Sequence, residues 1–96
     1  MEKLFTVYII SNRKNGILYT GITSNLQKRV WEHKNKVIDG FSKKYNLNNL
    51  IYYEPHANAE NAIKREKRLK KYKREQKIKL IEKENPNWED LYEKLF

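Results

Sequence analysis

Two short runs near the start of the chain are mostly apolar. Phe5-Thr6-Val7-Tyr8-Ile9-Ile10 and Ile17-Leu18-Tyr19-Thr20-Gly21-Ile22 are rich in β-branched and aromatic residues, the signature of strands. Asn12-Arg13-Lys14-Asn15-Gly16 lies between them, and Asn-Gly tolerates the positive φ of a tight turn, so the two runs predict an antiparallel hairpin. With a turn of Asn15-Gly16 alone, Asn12 faces Tyr19. With a loop of Arg13 to Gly16, Ile10 faces Tyr19 and Gly21 faces Tyr8, leaving open space between the tyrosine rings. Either register puts Tyr8 and Tyr19 on one face and Phe5, Val7, Ile9, Leu18 and Ile22 on the other.

The period then lengthens to that of a helix. Leu26, Val30, His33 and Val37 form an inward stripe over a helix from about Asn25 to Val37, with Ser24 as its cap. A loop from Phe41 to Asn49 leads to a third strand, Leu50 to Glu54, which Pro55 is expected to stop. Asn58 can cap a second helix reaching Lys73, with further helix to about Lys83. After Pro86, Asn87 can cap a last short helix whose stripe is Trp88, Leu91, Tyr92, Leu95 and Phe96. The order β-β-α-β-α-α predicts an α+β fold, a small three-stranded antiparallel sheet flanked by helices. Residues 1–83 are expected to form the domain, and residues 84–96 a helical extension packed on it.

Ninety-six residues suffice for one modest core. Charge sharpens the picture. Twenty-one Lys and Arg against 12 Asp and Glu give a net +9, suited to a polyanionic partner. The absence of cysteine excludes disulfides and thiolate metal sites. The Met1-Glu2-Lys3 opening has no apolar signal region behind it, and no run approaches the roughly 20 apolar residues that span a bilayer. A cytoplasmic protein with no membrane partner is therefore expected.

Three features could carry chemistry. Tyr8 and Tyr19 share a face, and on their own suit plain strand packing. Arg29 and His33, four apart on the first helix, are neighbours beside the core stripe; they offer a phosphate-binding fork and a proton carrier, or a surface arginine and a partly buried histidine. Glu66 falls inside the apolar stripe Ala59, Ala62, Ile63, Leu69 and Tyr72 of the second helix. An inward carboxylate is costly unless it is paired or bound to metal, so it reads as an ion-pair partner of Arg29 or as a ligand of a divalent cation. Around it Lys64, Arg65, Lys67, Arg68, Lys70 and Lys71 form a basic face for phosphates. From Lys64 to Lys79, ten basic residues meet only Glu66 and Glu75, whereas an ordinary solvated helix mixes the signs.

Taken in order, these residues resemble the GIY-YIG nuclease superfamily. Thr6-Val7-Tyr8 stands where that family has Gly-Ile-Tyr, and Tyr19-Thr20-Gly21 where it has Tyr-Ile-Gly. Arg29, His33 and Glu66 follow at the family's positions. The small bacterial stand-alone members are closer still, with runs like Leu18-Tyr19-Thr20-Gly21-Ile22-Thr23, Arg29-Val30-Trp31-Glu32-His33-Lys34 and Asn85-Pro86-Asn87-Trp88-Glu89-Asp90-Leu91. The changed positions spare both tyrosines. The likeness spans nearly the whole chain.

The resemblance implies metal-dependent phosphodiester hydrolysis of nucleic acid, by a DNA endonuclease ahead of an RNA one. Glu66 would hold one Mg²⁺ or Mn²⁺. Tyr19 would help deprotonate the attacking water, with Tyr8 positioning it or sharing that role, and His33 could relay the proton. Arg29 would neutralise phosphate charge and favour a phenolate. The role of Asn85 or Asn87 is open, and a protein partner could supply targeting. The alternatives are a degenerate nuclease fold that binds nucleic acid without cutting it, and an interaction domain whose tyrosines are only core.

Overall fold

The computed structural model describes residues 4–96; the Met1-Glu2-Lys3 opening lies outside the described residues. Strands β1 (Phe5–Ser11), β2 (Leu18–Thr23) and β3 (Asn49–His56) form one antiparallel sheet in the order β2-β1-β3. Helices α1 (Leu26–Lys34), α2 (Phe41–Lys44), α3 (Ala59–Lys71) and α4 (Arg74–Glu84) follow as the chain proceeds, and a 3-10 turn spans Tyr92–Leu95.

β1 is central and buried along nearly its whole length, so it needs apolar side chains on both faces. Tyr8 and Ile10 point toward Val30 of α1 and toward Leu47 and Leu50, with Ile17, Tyr19, Leu26 and Leu91 packed around them. On the opposite face Val7 meets Ala62 and Leu69 of α3, and Ile9 meets Ile81 of α4 and Trp88. Burying each such side chain contributes about 1.5–3 kcal/mol. Val7, Tyr8 and Ile9 thus tie the two helical layers to one strand.

The hairpin takes the longer-loop register, with Ile10 opposite Tyr19 and Tyr8 opposite Gly21. The Asn12 side chain accepts from Ile17 N at 2.9 Å, Asn15 adopts φ 57°, and Arg74 donates to the carbonyls of Asn15 and Gly16. The loop is thereby closed from inside by Asn12 and from outside by α4. No gap separates the rings at Gly21, because Tyr8 itself lies over that glycine. A Cβ there would fall 2.5 Å from Tyr8 Cζ and Oη.

Several expected boundaries move, each for a local reason. The cap of α1 is Asn25, whose side chain accepts from Lys28 N while Thr23 Oγ1 accepts from Asn25 N; Ser24 is passed over. The helix stops at Lys34, Lys36 takes positive φ, and Val37 is exposed, outside the inward stripe. The expected Phe41–Asn49 loop contains helix α2. β3 runs through Pro55 to His56; it is an edge strand, where a proline is accommodated if its missing N–H would face away from the ladder. Ile63 is also exposed rather than inward.

The largest change concerns the C-terminal segment. Asn87 starts no helix; only the Tyr92–Leu95 turn forms. The Asn85 amide instead donates to Ile51 O and Glu89 O and accepts from Glu89 N. Asp90 accepts from Leu50 N and Tyr92 N and pairs with Lys34. These two side chains bond backbone groups both of β3 and of their own segment, so the chain is laid back over β3 in an irregular path. Trp88, at φ 56°, enters the core and donates Nε1 to Glu82. No helix among the described residues is long and apolar enough to cross a membrane.

Candidate active site

The sheet and α1 bring four of the sequence-predicted residues together. The Tyr8 hydroxyl from β1 is hydrogen-bonded to His33 Nε2 of α1 at 2.9 Å. Tyr19 from β2 lies beside both, its ring centroid 6.4 Å from that of Tyr8 and 6.0 Å from that of His33. Arg29, one helical turn before His33, is near enough to Tyr8 to influence its ionisation. It lines a cleft with Thr23, Ser24 and Lys28 on one side and one with Phe5, Ala59 and Ile63 on the other. Hairpin alternation supplies the tyrosine pair, and the spacing of four supplies the Arg29–His33 pair.

A fifth residue joins them from outside the sequence pattern. Ser42, buried on α2, places Oγ 2.9 Å from His33 Nδ1. The result is a continuous line of hydrogen bonds, Ser42 Oγ to His33 to Tyr8 Oη. Nothing in the sequence marks Ser42, since its segment has no apolar periodicity. Its partner is fixed only once the loop folds back on α1.

The electrostatics of this line are those of buried neutral groups. Burial foremost, and then the neighbouring Tyr19 hydroxyl, push the Tyr8 phenol up to about 12; Arg29 pulls the other way, and Glu66 adds to the rise. For Tyr8, then, burial outweighs the phenolate-favouring effect expected of Arg29. His33 is held below its ordinary value, by burial first and by the Arg29 charge second. A neutral imidazole carries one N–H. If Nδ1–H donates to Ser42, Nε2 accepts from the Tyr8 hydroxyl; if Ser42 donates to Nδ1, Nε2–H donates to the Tyr8 oxygen and frees the phenolic proton. Either arrangement satisfies all three groups without burying net charge.

Glu66 on α3 is largely buried, its side chain 15% exposed, and it is near enough to Tyr8 to influence its ionisation. The anticipated ion pair with Arg29 is not formed. Arg29 Nε instead meets Glu32 at 3.4 Å, and Glu66 Oε2 meets Lys70 at 3.3 Å. Among the described residues no three His, Asp or Glu side chains gather as a metal cage. A single carboxylate suits Mg²⁺ or Mn²⁺ that keeps several waters and shares its remaining positions with substrate phosphates. Glu66 fits that use and no all-protein site.

The basic face is divided. Lys64, Lys67, Arg68, Lys70 and Lys71 are exposed on α3, with Lys64 paired to Glu60 and Lys70 to Glu66. Arg65 is not among them. Its Nε donates to Glu54 Oε1 at 2.7 Å and its guanidinium reaches Tyr72. Tyr52 and His56 donate to the same Glu54 carboxylate. These donors hold the Glu54 carboxyl below its ordinary value despite burial, and the bond to Glu54 raises Arg65. Arg65 therefore clamps α3 to β3 instead of facing solvent.

The sequence matches the profile of the GIY-YIG catalytic domain over residues 4–79. It is 37% identical over 82 residues to a UPF0213 protein of Staphylococcus epidermidis, covering 85% of this chain and 98% of that one. It is 38% identical over 88 residues to a UPF0213 protein of Clostridium perfringens, covering 92% of each. The solution NMR structure of a UPF0213 protein from Bacillus halodurans shares the fold, with a TM-score of 0.57 at 23% identity over 91% of this chain and 92% of that one. The chain belongs to the GIY-YIG domain family, a family of nucleases, within its UPF0213 group.

Proposed function

We propose that this protein is an endonuclease that hydrolyses the DNA backbone with one bound Mg²⁺ or Mn²⁺. The observation that carries the reading is the cluster of Tyr8, Tyr19 and His33, with Arg29 and Glu66 both close enough to act on Tyr8. Arg29, which lines the clefts beside this cluster, binds a non-bridging phosphate oxygen and offsets charge that develops there. Tyr19 orients the attacking water and takes up its proton. That proton ends on His33: Tyr8 takes one up as it gives its own phenolic proton to His33 Nε2, while Ser42 accepts from Nδ1–H, so Tyr8 need not sit as a phenolate beforehand. Glu66 holds the divalent ion, which when bound supplies Lewis-acid stabilisation of the scissile phosphate and the leaving oxygen. Lys64, Lys67, Arg68, Lys70 and Lys71 steer the polyanion toward the pocket.

The test is a cleavage assay with Mg²⁺ or Mn²⁺ on plasmid, branched and single-stranded DNA and on RNA. The unaltered chain is compared with Tyr19→Phe and Glu66→Ala. Metal-dependent cutting of DNA that is lost in both variants supports the reading. Binding without cutting on every substrate would replace it with a non-catalytic binding module.

A further inference from the structure

α2 has a second side. Phe41 and Tyr45, four residues apart and so on one face of the short helix, are 48% and 37% exposed, their ring centroids 4.8 Å apart. Neither belongs to the hydrophobic clusters that hold the sheet and helices together. Phe41 is near-parallel to Tyr19, at 28° and 6.4 Å, so the exposed rings continue the aromatic wall of the pocket outward to the surface. Lys44 lies beside them, its Nζ 5.4 Å from the centre of the Tyr45 ring, while exposed Lys43 pairs with Asp39 at 3.1 Å.

Partly exposed aromatic rings that adjoin Tyr19, with Lys44 beside them, suit one kind of chemistry. A nucleobase offers a flat π-face, and the strand that carries it offers phosphates to Lys44. In a blunt duplex both faces of an internal base are already covered by its neighbours. Away from the ends of a duplex, only an unpaired base has a face to give.

We propose that Phe41 and Tyr45 form a stacking platform for an unpaired base of the DNA strand being cut, and that the protein therefore prefers single-stranded or locally unpaired DNA. This rests on the nuclease reading above. Tyr19 joins platform to pocket, so a base seated on Phe41 places its adjoining phosphate beside Tyr19 and Arg29. Ser42, between the two rings in sequence, holds the same helix against His33, which fixes the platform relative to the proton line.

The experiment measures binding without divalent metal, to prevent cutting, on a single-stranded oligonucleotide and a blunt duplex of the same sequence. The single strand also carries a fluorescent base analogue whose emission is quenched by stacking. The unaltered protein is expected to prefer the single strand and quench the analogue. The Phe41→Ala, Tyr45→Ala double variant should lose about fivefold to about a hundredfold in affinity for the single strand, the range expected for one stacked base, and much less for the duplex. Phe41→Trp should keep the preference. Equal losses on both forms, or binding without quenching, would overturn the platform while leaving the nuclease reading intact. If the unaltered protein binds and cuts no nucleic acid, the nuclease reading falls and the platform with it. Quenching by the unaltered protein needs no variant, so the proposal is tested even if a substitution disturbs folding.

Discussion

Tyr8 and Gly21 face each other across the β1–β2 ladder, and the tyrosine ring occupies the space where a side chain on residue 21 would stand. The glycine is therefore a condition for the position of the Tyr8 hydroxyl, though it touches no substrate. Gly21→Ala must push the buried ring aside. The expected result is a destabilisation of about 1–3 kcal/mol, as for other overpacked cores, and a loss of cleavage greater than the loss of stability explains. Urea unfolding beside the cleavage assay checks both; a variant as active as the parent would show that the ring has room to move.

Ser42→Ala removes the outer end of the hydrogen-bonded line and leaves His33 Nδ1 without its partner. An unsatisfied buried group costs about 1–3 kcal/mol, so some loss of stability is expected in any case. The distinguishing readout is the pH profile of cleavage. If Ser42 holds the imidazole in its working orientation, Ala should lower kcat and shift the acid limb, with KM little changed, and Ser42→Thr should restore much of both. A stability loss alone, with an unaltered profile, would make Ser42 a packing residue.

The depressed His33 pKa makes a separate prediction about folding. The unfolded chain takes up a proton near the ordinary value of 6.5, whereas the folded protein resists it to lower pH. The stabilising contribution is therefore full above pH 6.5 and falls away as pH drops through the folded value. Glu54, also depressed but from 4.5, acts in the same direction in a lower window. His33→Gln should flatten the first fall and leave the second. Unfolding free energies measured from neutral to acid pH test this; an unchanged decline just below 6.5 would rule His33 out as its source.

Arg65 and its lysine neighbours should respond differently to substitution. Arg65→Gln breaks the bond to Glu54 and leaves that carboxylate short of a partner, so it should cost about 1–3 kcal/mol of stability. Lys67→Gln and Lys71→Gln should leave stability nearly alone and weaken DNA binding. For every phosphate that is no longer neutralised, the slope of log affinity against log salt should fall by about 0.9 on duplex DNA or about 0.7 on single strands. Titrations at several salt concentrations separate the two cases. A salt slope lowered equally by Arg65→Gln would return Arg65 to the phosphate-binding face.

What could be read from the sequence was whatever repeats at a fixed interval. Alternation placed Tyr8 and Tyr19 on one face, and a spacing of four put Arg29 next to His33. What could not be read depends on a side chain reaching a distant backbone or carboxylate. Arg65 sits among outward lysines in sequence, yet Glu54, on a neighbouring strand, captures it. Asn87 looks like the cap of one more helix, yet its neighbours Asn85 and Asp90 bind Ile51, Glu89, Leu50 and Tyr92 and no helix starts there. Ser42 lies in an aperiodic stretch, and only α2 gives it a direction.

The irregular return of the chain over β3 also guards that edge of the sheet against strand addition. β3 is an outer strand, and outer strands expose unpaired backbone groups that can recruit a strand from another molecule. Here the opposing register skips Ile51, passing from Leu50 to Tyr52, and the freed Ile51 carbonyl is taken by Asn85. Leu50 is occupied on both its N–H and its carbonyl, by Asp90 and Leu91. Pro55 interrupts donors at the other end. Between these blocks only Tyr52, Tyr53 and Glu54 remain, a stretch too short to template a stack of copies.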